Sequence, residues 1–292
     1  MKKFILVTAG ALLIFTTTKA QRVNNRLKKE LTSLIKDFHG DIGIYVKDLK
    51  NGSTISIHAD SVFPTASMIK VPILIGVMKR ISQGELKYHQ ELVYKDSLLY
   101  PGVDILGSFK NDEKIELSKV MMLMLSMSDN TASLWLQSLA GGGTAINHIL
   151  DSLGFVVTRV NSHTPGREEN REVYGWGQTT PREMGTLLEK IYHKEIISDS
   201  ASTRMMRLLG RSYWDEEALS AIPPTIEVFS KSGAVDASRS EVLLVNAPHH
   251  PYIFCICTKN NQDQSWVYEN EAWVLTRVLS RVLWHHFEPH ID

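Results

Sequence analysis

Cysteine is nearly absent from this 292-residue chain, which holds only Cys255 and Cys257. They alternate along the apolar run Tyr252-Ile-Phe-Cys-Ile-Cys-Thr258, so a strand there points both thiols to one face. The extended residue between them sets their Cβ vectors parallel, which excludes a ready disulfide and leaves two buried thiols rather than a redox centre. A charge excess of either sign is missing too: Lys plus Arg and Asp plus Glu are 32 each. That balance recommends neither a nucleic-acid partner nor an acidic solvating tail. A long apolar run is lacking, because Phe4 to Phe15 is too short for a comfortable membrane span. Metal-ligand spacing is lacking as well. His249-His250, His285-His286 and His290 give no helical pair with an acidic third ligand, and Pro289 interrupts the i, i+4 candidate. No metal and no cofactor is expected.

What is present is an ordinary globular composition, 43% hydrophobic and 22% charged, enough for a substantial core. Lys2 and Lys3, the apolar stretch after them and Thr18-Lys19-Ala20 have the layout of an export signal over residues 1–20. A retained membrane anchor is the alternative. With cleavage, the expected product is a periplasmic or secreted monomer that no longer touches the membrane.

The patterning then predicts a helix over Val23 to Phe38 and a hairpin of Ile42 to Val46 with Thr54 to Ile57, turned at Asn51-Gly52. Helices are expected over Ile69 to Ile81, Leu117 to Met127, Thr131 to Leu139, Thr144 to Leu153, Pro181 to Tyr192 and Ser200 to Leu209. The methionines between Met121 and Met127, with Met68, read as core filler. Residues 155–180 show no period, and a segment that long without structure is usually functional. Strands at Ile226 to Phe229, Glu241 to Asn246 and Tyr252 to Thr258 precede a closing helix from about Trp266 to Phe287. The implied fold is α/β: an antiparallel sheet of about five strands built from both chain ends (21–62 and 222–292), flanked by terminal helices. An all-helical insertion spans 63–221, with the site expected between the two blocks.

Three motifs carry chemistry: Ser67-Met-Ile-Lys70, Ser128-Asp-Asn130 and Lys231-Ser-Gly233. Together they supply a serine nucleophile, a lysine one helical turn away, a relay hydroxyl and a second lysine, which is equipment for acyl transfer without histidine. A lone Ser-x-x-Lys arises by chance about once in a chain this long, as at Ser33-Leu-Ile-Lys36. Ser67 differs by opening an apolar helix, where its own N–H is a free donor. Taken singly, Ser128-Asp-Asn130 reads as a helix N-cap and Lys231 as a strand-edge lysine. The ordered set is what argues for a site.

With its flanks Thr65-Ala-Ser67, Met127 to Ala132, Lys231 to Ala234 and Thr180-Pro-Arg-Glu-Met184, the chain resembles the penicillin-recognising serine hydrolases, and within them the class A β-lactamase family. The resemblance implies that Ser67 is acylated by a β-lactam or a peptidoglycan peptide, that Lys70 takes its proton and that Ser128 passes one to the leaving nitrogen. It implies that Asn130 holds the substrate amide, with a structural bond as the alternative. Lys231 and Ser232 would bind the substrate carboxylate, and the N–H groups of Ser67 and Ala234 would form an oxyanion hole. Arg239 would be a second carboxylate anchor, with an ion pair to Glu241 or Asp236 as the alternative.

One departure stands out. The family's loop carries a glutamate before a proline to activate the deacylating water, and here Thr164 precedes Pro165. Threonine is no general base at neutral pH. Glu168 is the first candidate to replace it, ahead of Glu169 and Glu172, with an exposed acidic turn beside Arg167 or Arg171 as the alternative. The competing functions are a D-alanyl-D-alanine peptidase or a slowly deacylating relative and, from another class, a penicillin-sensing or cell-wall-binding module.

Overall fold

A computed structural model describes residues 24–210 and 212–291. The segment read as an export signal, residues 1–20, lies outside the described residues. Helix α1 (Asn25–Ile35) starts where the Asn24 side chain accepts from the Leu27 amide at 3.1 Å, and its apolar stripe buries Leu27 and Leu31. It begins later and stops earlier than the periodicity predicts. The hairpin follows as β1 (Asp41–Asp48) and β2 (Thr54–Ile57), with Gly52 at φ +74° supplying the left-handed turn residue. Next come β3 (Phe63–Pro64), α2 (Lys70–Ser82), β4 (Glu91–Val93), β5 (Lys114–Glu116) and α3 (Leu117–Met122). Helices α4 (Asn130–Leu139) and α5 (Gly142–Ser152) lead to β6 (Arg159–Val160), α6 (Glu168–Tyr174) and β7 (Gly177–Thr179). The chain continues through α7 (Pro181–Tyr192) and α8 (Asp199–Leu209) into β8 (Val228–Val235), β9 (Ser238–Val245), β10 (Tyr252–Lys259) and α9 (Glu271–Phe287).

Five strands form one antiparallel sheet in the order β2-β1-β10-β9-β8, so both chain ends build it, as expected. Strand alternation divides the apolar side chains between two cores. Tyr45, Val242, Leu244, Ile253, Cys255 and Cys257 face α2, α7 and the other inserted helices. Ile44, Val46, Leu243, Val245, Phe254 and Ile256 face Leu27 and Leu31 of α1 and Leu279, Leu283 and Trp284 of α9. Strand β10 is covered on both faces, which is why its sequence is a continuous apolar run. Its two thiols lie side by side, free and buried, with sulfurs 4.0 Å apart.

Three further sequence expectations need correction. Strand β8 does not stop at Phe229 but runs on through Lys231-Ser-Gly233, because pairing with β9 outweighs the small, polar residues there. Helix α9 starts at Glu271 rather than Trp266, where Asn270 accepts from the amides of Ala272 and Trp273. Residues 155–180 are ordered around β6, α6 and β7, and the short β4–β5 pair carries no pattern long enough to detect.

Both histidines of the His249-His250 pair hold carboxylates. His249 pairs with Glu288 at 2.6 Å and His250 with Asp48 at 2.9 Å. Among the described residues no group of three or more His, Cys, Asp or Glu side chains is arranged to hold a metal.

Candidate active site

The nucleophile is presented by a sharp turn. Strand β3 pairs with β7, and the Thr65 N–H donates to the Gly177 carbonyl at 2.9 Å. Ala66 then takes φ +43°, a left-handed conformation that costs a non-glycine residue about 1–2 kcal/mol. A single 3₁₀ turn, Ala66–Ile69, feeds directly into α2. Spacing of three residues puts Ser67 and Lys70 on one face, and only Ser67 retains contact with solvent.

Lys70 is the hub. Its Nζ lies 3.0 Å from each of Ser67 Oγ, Ser128 Oγ and Asn130 Oδ1, and within hydrogen-bond reach of the Ser128 carbonyl. The side chain is 0% exposed. Burial, helped by the nearby Lys231 ammonium and opposed by Asp129, holds its pKa well below the ordinary lysine range. A neutral amine in that position keeps a lone pair aimed among four oxygens, so it can accept the Ser67 proton.

The second motif is fixed from both sides. A π-turn over Leu123–Met127 ends on Ser128 at φ +59°, a second strained residue in the site. The residue that caps α4 is Asp129, not Ser128: its Oδ1 accepts from Ala132 N at 2.7 Å. Its Oδ2 accepts from Ile105 N at 2.7 Å and Leu106 N at 2.9 Å, while Asn130 N donates to the Val103 carbonyl at 2.8 Å. Segment 99–108 is thereby stitched over the motif and forms one wall of the cleft. At the mouth the rings of Tyr100 and Trp176 meet edge to face, 5.1 Å between centroids.

The third motif approaches through its glycine. A Cβ on Gly233 would lie 2.6 Å from the Thr65 carbonyl and 2.7 Å from Ser67 N, so only glycine lets β8 lie against the nucleophile turn. Lys231 is 1% exposed, and its Nζ donates to the Ser232 carbonyl at 2.7 Å. Burial lowers its pKa to about 8, against the opposing pull of Glu241 and Glu217.

These parts border one cleft of about 940 Å³, lined by Ser67, Tyr100, Ser128, Asn130, Ser232 and Ala234 among others. A cavity of similar size, about 1020 Å³, lies behind it between α8 and the start of β8. It contains none of the three motifs' hydroxyls or lysines and is not the site.

Two expected residues are placed differently. Arg239 also borders the cleft, but it forms neither of the ion pairs weighed as alternatives. Its guanidinium lies between the rings of Trp266 and Trp273, 4.5 and 4.6 Å from their centroids. It donates to the carbonyls of Val235, Asp236, Ser238 and Ser265. Glu168 is not brought to the cleft. It is exposed at the start of α6 and accepts from the Gly166 amide at 3.1 Å. Glu169 and Glu172 are exposed as well, and Thr164 is buried with its hydroxyl on the Ser162 carbonyl at 2.9 Å. Arg167 bonds Asn161 and Gln178 rather than those glutamates. From this loop the cleft receives Val173 to Trp176, with no carboxylate. Glu168→Gln is therefore expected to leave the rate of acyl-enzyme hydrolysis within about twofold of wild type, measured by adduct decay. Accumulation of adduct in that variant would restore Glu168 to the mechanism.

Sequence reasoning missed Asp129 as a clamp, Trp176 as the partner of Tyr100 at the mouth, and Glu217 and Glu241 along the cleft. Only Glu241 carried a signal, as a charged residue directly before the apolar run Val242 to Val245.

The chain is similar to known proteins over most of its length. Beta-lactamase VEB-1 of Pseudomonas aeruginosa is 22% identical over 98% of both chains. The extended-spectrum beta-lactamase PER-1, also from Pseudomonas aeruginosa, is 20% identical over 89% of each. Among solved structures, PBP-A superposes with a TM-score of 0.81 at 24% identity, covering 92% of this chain and 98% of that one. The family model for the beta-lactamase enzyme family matches residues 26–287, and the chain belongs to that family.

Proposed function

We propose that this protein is an exported serine hydrolase that opens β-lactam amides through an acyl-enzyme on Ser67 and releases the acyl group slowly. The observation that carries the reading is the buried Lys70 amine, 3.0 Å from both Ser67 Oγ and Ser128 Oγ. Neutral Lys70 takes the Ser67 proton as Oγ attacks the carbonyl carbon. The proton then passes through Ser128 to the departing ring nitrogen, so the acyl C–O bond forms as the C–N bond breaks. The N–H groups of Ser67 and Ala234 stabilise the oxyanion, Lys231 and Ser232 hold the substrate carboxylate, and Asn130 orients the side-chain amide.

Slow release follows from the loop: the position before Pro165 is a buried threonine, and the loop glutamates face away. The same observation favours a second reading, a D-alanyl-D-alanine-type peptidase that acts on peptidoglycan peptides and is trapped by penicillins. PBP-A, the structural neighbour, has been solved both free and, as a point mutant, as an acyl-enzyme complex with penicillin G.

Mixing the protein with a chromogenic cephalosporin tests the proposal. The expected result is a burst of about one product per enzyme followed by slow turnover, with mass spectrometry locating the adduct on the peptide containing Ser67. Ser67→Ala should give neither. Rapid multiple turnover would overturn the slow-release part. Absence of both product and adduct in wild type would favour a binding module.

A further inference from the structure

The strained turn that carries Ser128 is also held from a direction the three motifs do not supply. The carbonyls of Ser126, Met127 and Ser128 each meet a nitrogen from outside the turn. The Ser126 carbonyl accepts from the Tyr213 amide at 2.8 Å and the Met127 carbonyl from the Trp214 indole N–H at 2.8 Å, while the Ser128 carbonyl lies within reach of Lys70 Nζ. Tyr213 and Trp214 meet edge to face, 5.2 Å between centroids, and form one strap across the turn. Neither belongs to the two buried cores: Tyr213 is 64% exposed and Trp214 40%. Core packing therefore does not account for a tryptophan here. Trp214 instead borders the cleft beside Ser67, Ser128 and Asn130, with its N–H edge turned to the motif.

We propose that Trp214 is a positioning residue for the proton relay: its indole N–H fixes the Met127 carbonyl and, through it, the left-handed Ser128, so that the Ser128 hydroxyl stays aimed at the departing ring nitrogen. The inference rests on the function proposed above. The Met127 carbonyl and the Ser128 N–H share one rigid peptide plane, so anchoring the oxygen leaves φ of Ser128 as the nearest soft rotation. At +59° that rotation sits in a narrow well, which a serine leaves readily once its surroundings stop holding it. On the far side of Ser128 the chain is already secured, by the Asp129 clamp and by Lys70. Loss of the indole N–H frees the near side. A turn about φ then opens the 3.0 Å spacing of Ser128 Oγ and Lys70 Nζ on which the relay depends. Acylation alone is affected. There the proton taken from Ser67 by Lys70 passes through Ser128 to the nitrogen as the C–N bond breaks. Once the amine has departed, Ser128 has no leaving nitrogen to protonate.

The experiment separates the two halves of the reaction. Trp214→Phe keeps an aromatic ring and removes the donor. Exchange of Trp214 for benzothienylalanine, in which sulfur replaces the N–H at the same ring size, removes the donor alone. With a chromogenic cephalosporin, acylation followed by stopped flow should slow by about tenfold in both proteins, the loss of one hydrogen bond. Decay of the adduct, followed by mass spectrometry, should stay within about twofold of wild type. A strap with a purely architectural role would disturb both steps together, so equal losses in acylation and decay overturn the proposal. Acylation within about twofold of wild type in both proteins also overturns it. So does a benzothienylalanine protein that keeps the wild-type rate while Trp214→Phe loses it, because the ring and not the N–H would then matter. Should Trp214→Phe fail to fold, the isosteric exchange decides alone. If wild type itself forms no adduct, the acylation reading falls and the relay with it. If wild type acylates and the altered proteins acylate as fast, only the role of Trp214 falls.

Discussion

Lys70→Met should slow acylation of Ser67 by about 10²–10⁴-fold, the usual contribution of a positioned general base. The replacement is apolar and of similar length, so it removes the amine while filling the buried site that Lys70 occupies. The pH dependence identifies the cause. In wild type the rate should rise as pH climbs through the folded-state pKa of Lys70, because only the neutral amine accepts a proton. It should fall again as Lys231 loses its proton near 8 and the carboxylate anchor is discharged. In Lys70→Met the residual rate should lose the acidic limb and keep the alkaline one, measurable by stopped flow with a chromogenic cephalosporin. An acidic limb that survives the substitution would assign proton transfer elsewhere. The same depressed values bear on stability. At pH below its folded pKa each lysine carries a buried charge, and across the shifted range the unfolded chain binds more protons than the folded one. For Lys231 the stability contribution should therefore rise as pH climbs from about 8 toward its ordinary 10.5.

Gly233→Ala is the second large effect, and it comes from one methyl group. The added Cβ would meet the Thr65 carbonyl at 2.6 Å, Ser67 N at 2.7 Å and Met68 N at 3.0 Å. All three are backbone atoms at the start of the nucleophile helix, so no flexible side chain can yield. β8 must retreat from the turn and take Lys231, Ser232 and Ala234 with it. Misplacing one oxyanion donor typically costs about a hundredfold or more in rate, and forced overpacking costs about 1–3 kcal/mol. The expected outcome is a loss of kcat/KM of at least that size together with a lower Tm. Activity within about threefold of wild type would mean that β8 does not approach the turn this closely.

Much of the fold was legible because its signals are local. The stripe of Leu27 and Leu31, the Asn51-Gly52 turn, the apolar run of β10 and Pro181 at the first turn of α7 each act within a few residues. What stayed hidden depends on partners distant in the chain. Strand β8 is polar through its motif and exists because β9 pairs with it; β4 and β5 are each three residues long and stabilise only one another. Asp129 looked like half of a motif, yet its second oxygen secures Ile105 and Leu106, a contact no spacing rule encodes. Glu168 looked like the substitute base by its distance from Pro165, but the turn that precedes α6 points it at its own loop.

The order of the three motifs, and therefore the kinds of atom available for acyl transfer, was written in the sequence, since covalent identity needs no fold to be read. Tertiary structure alone decided how those atoms differ from free side chains. Enclosure removed water from Lys70 and Lys231 and set their charges against each other, because desolvation and Coulomb energy depend on distances that chain order does not contain.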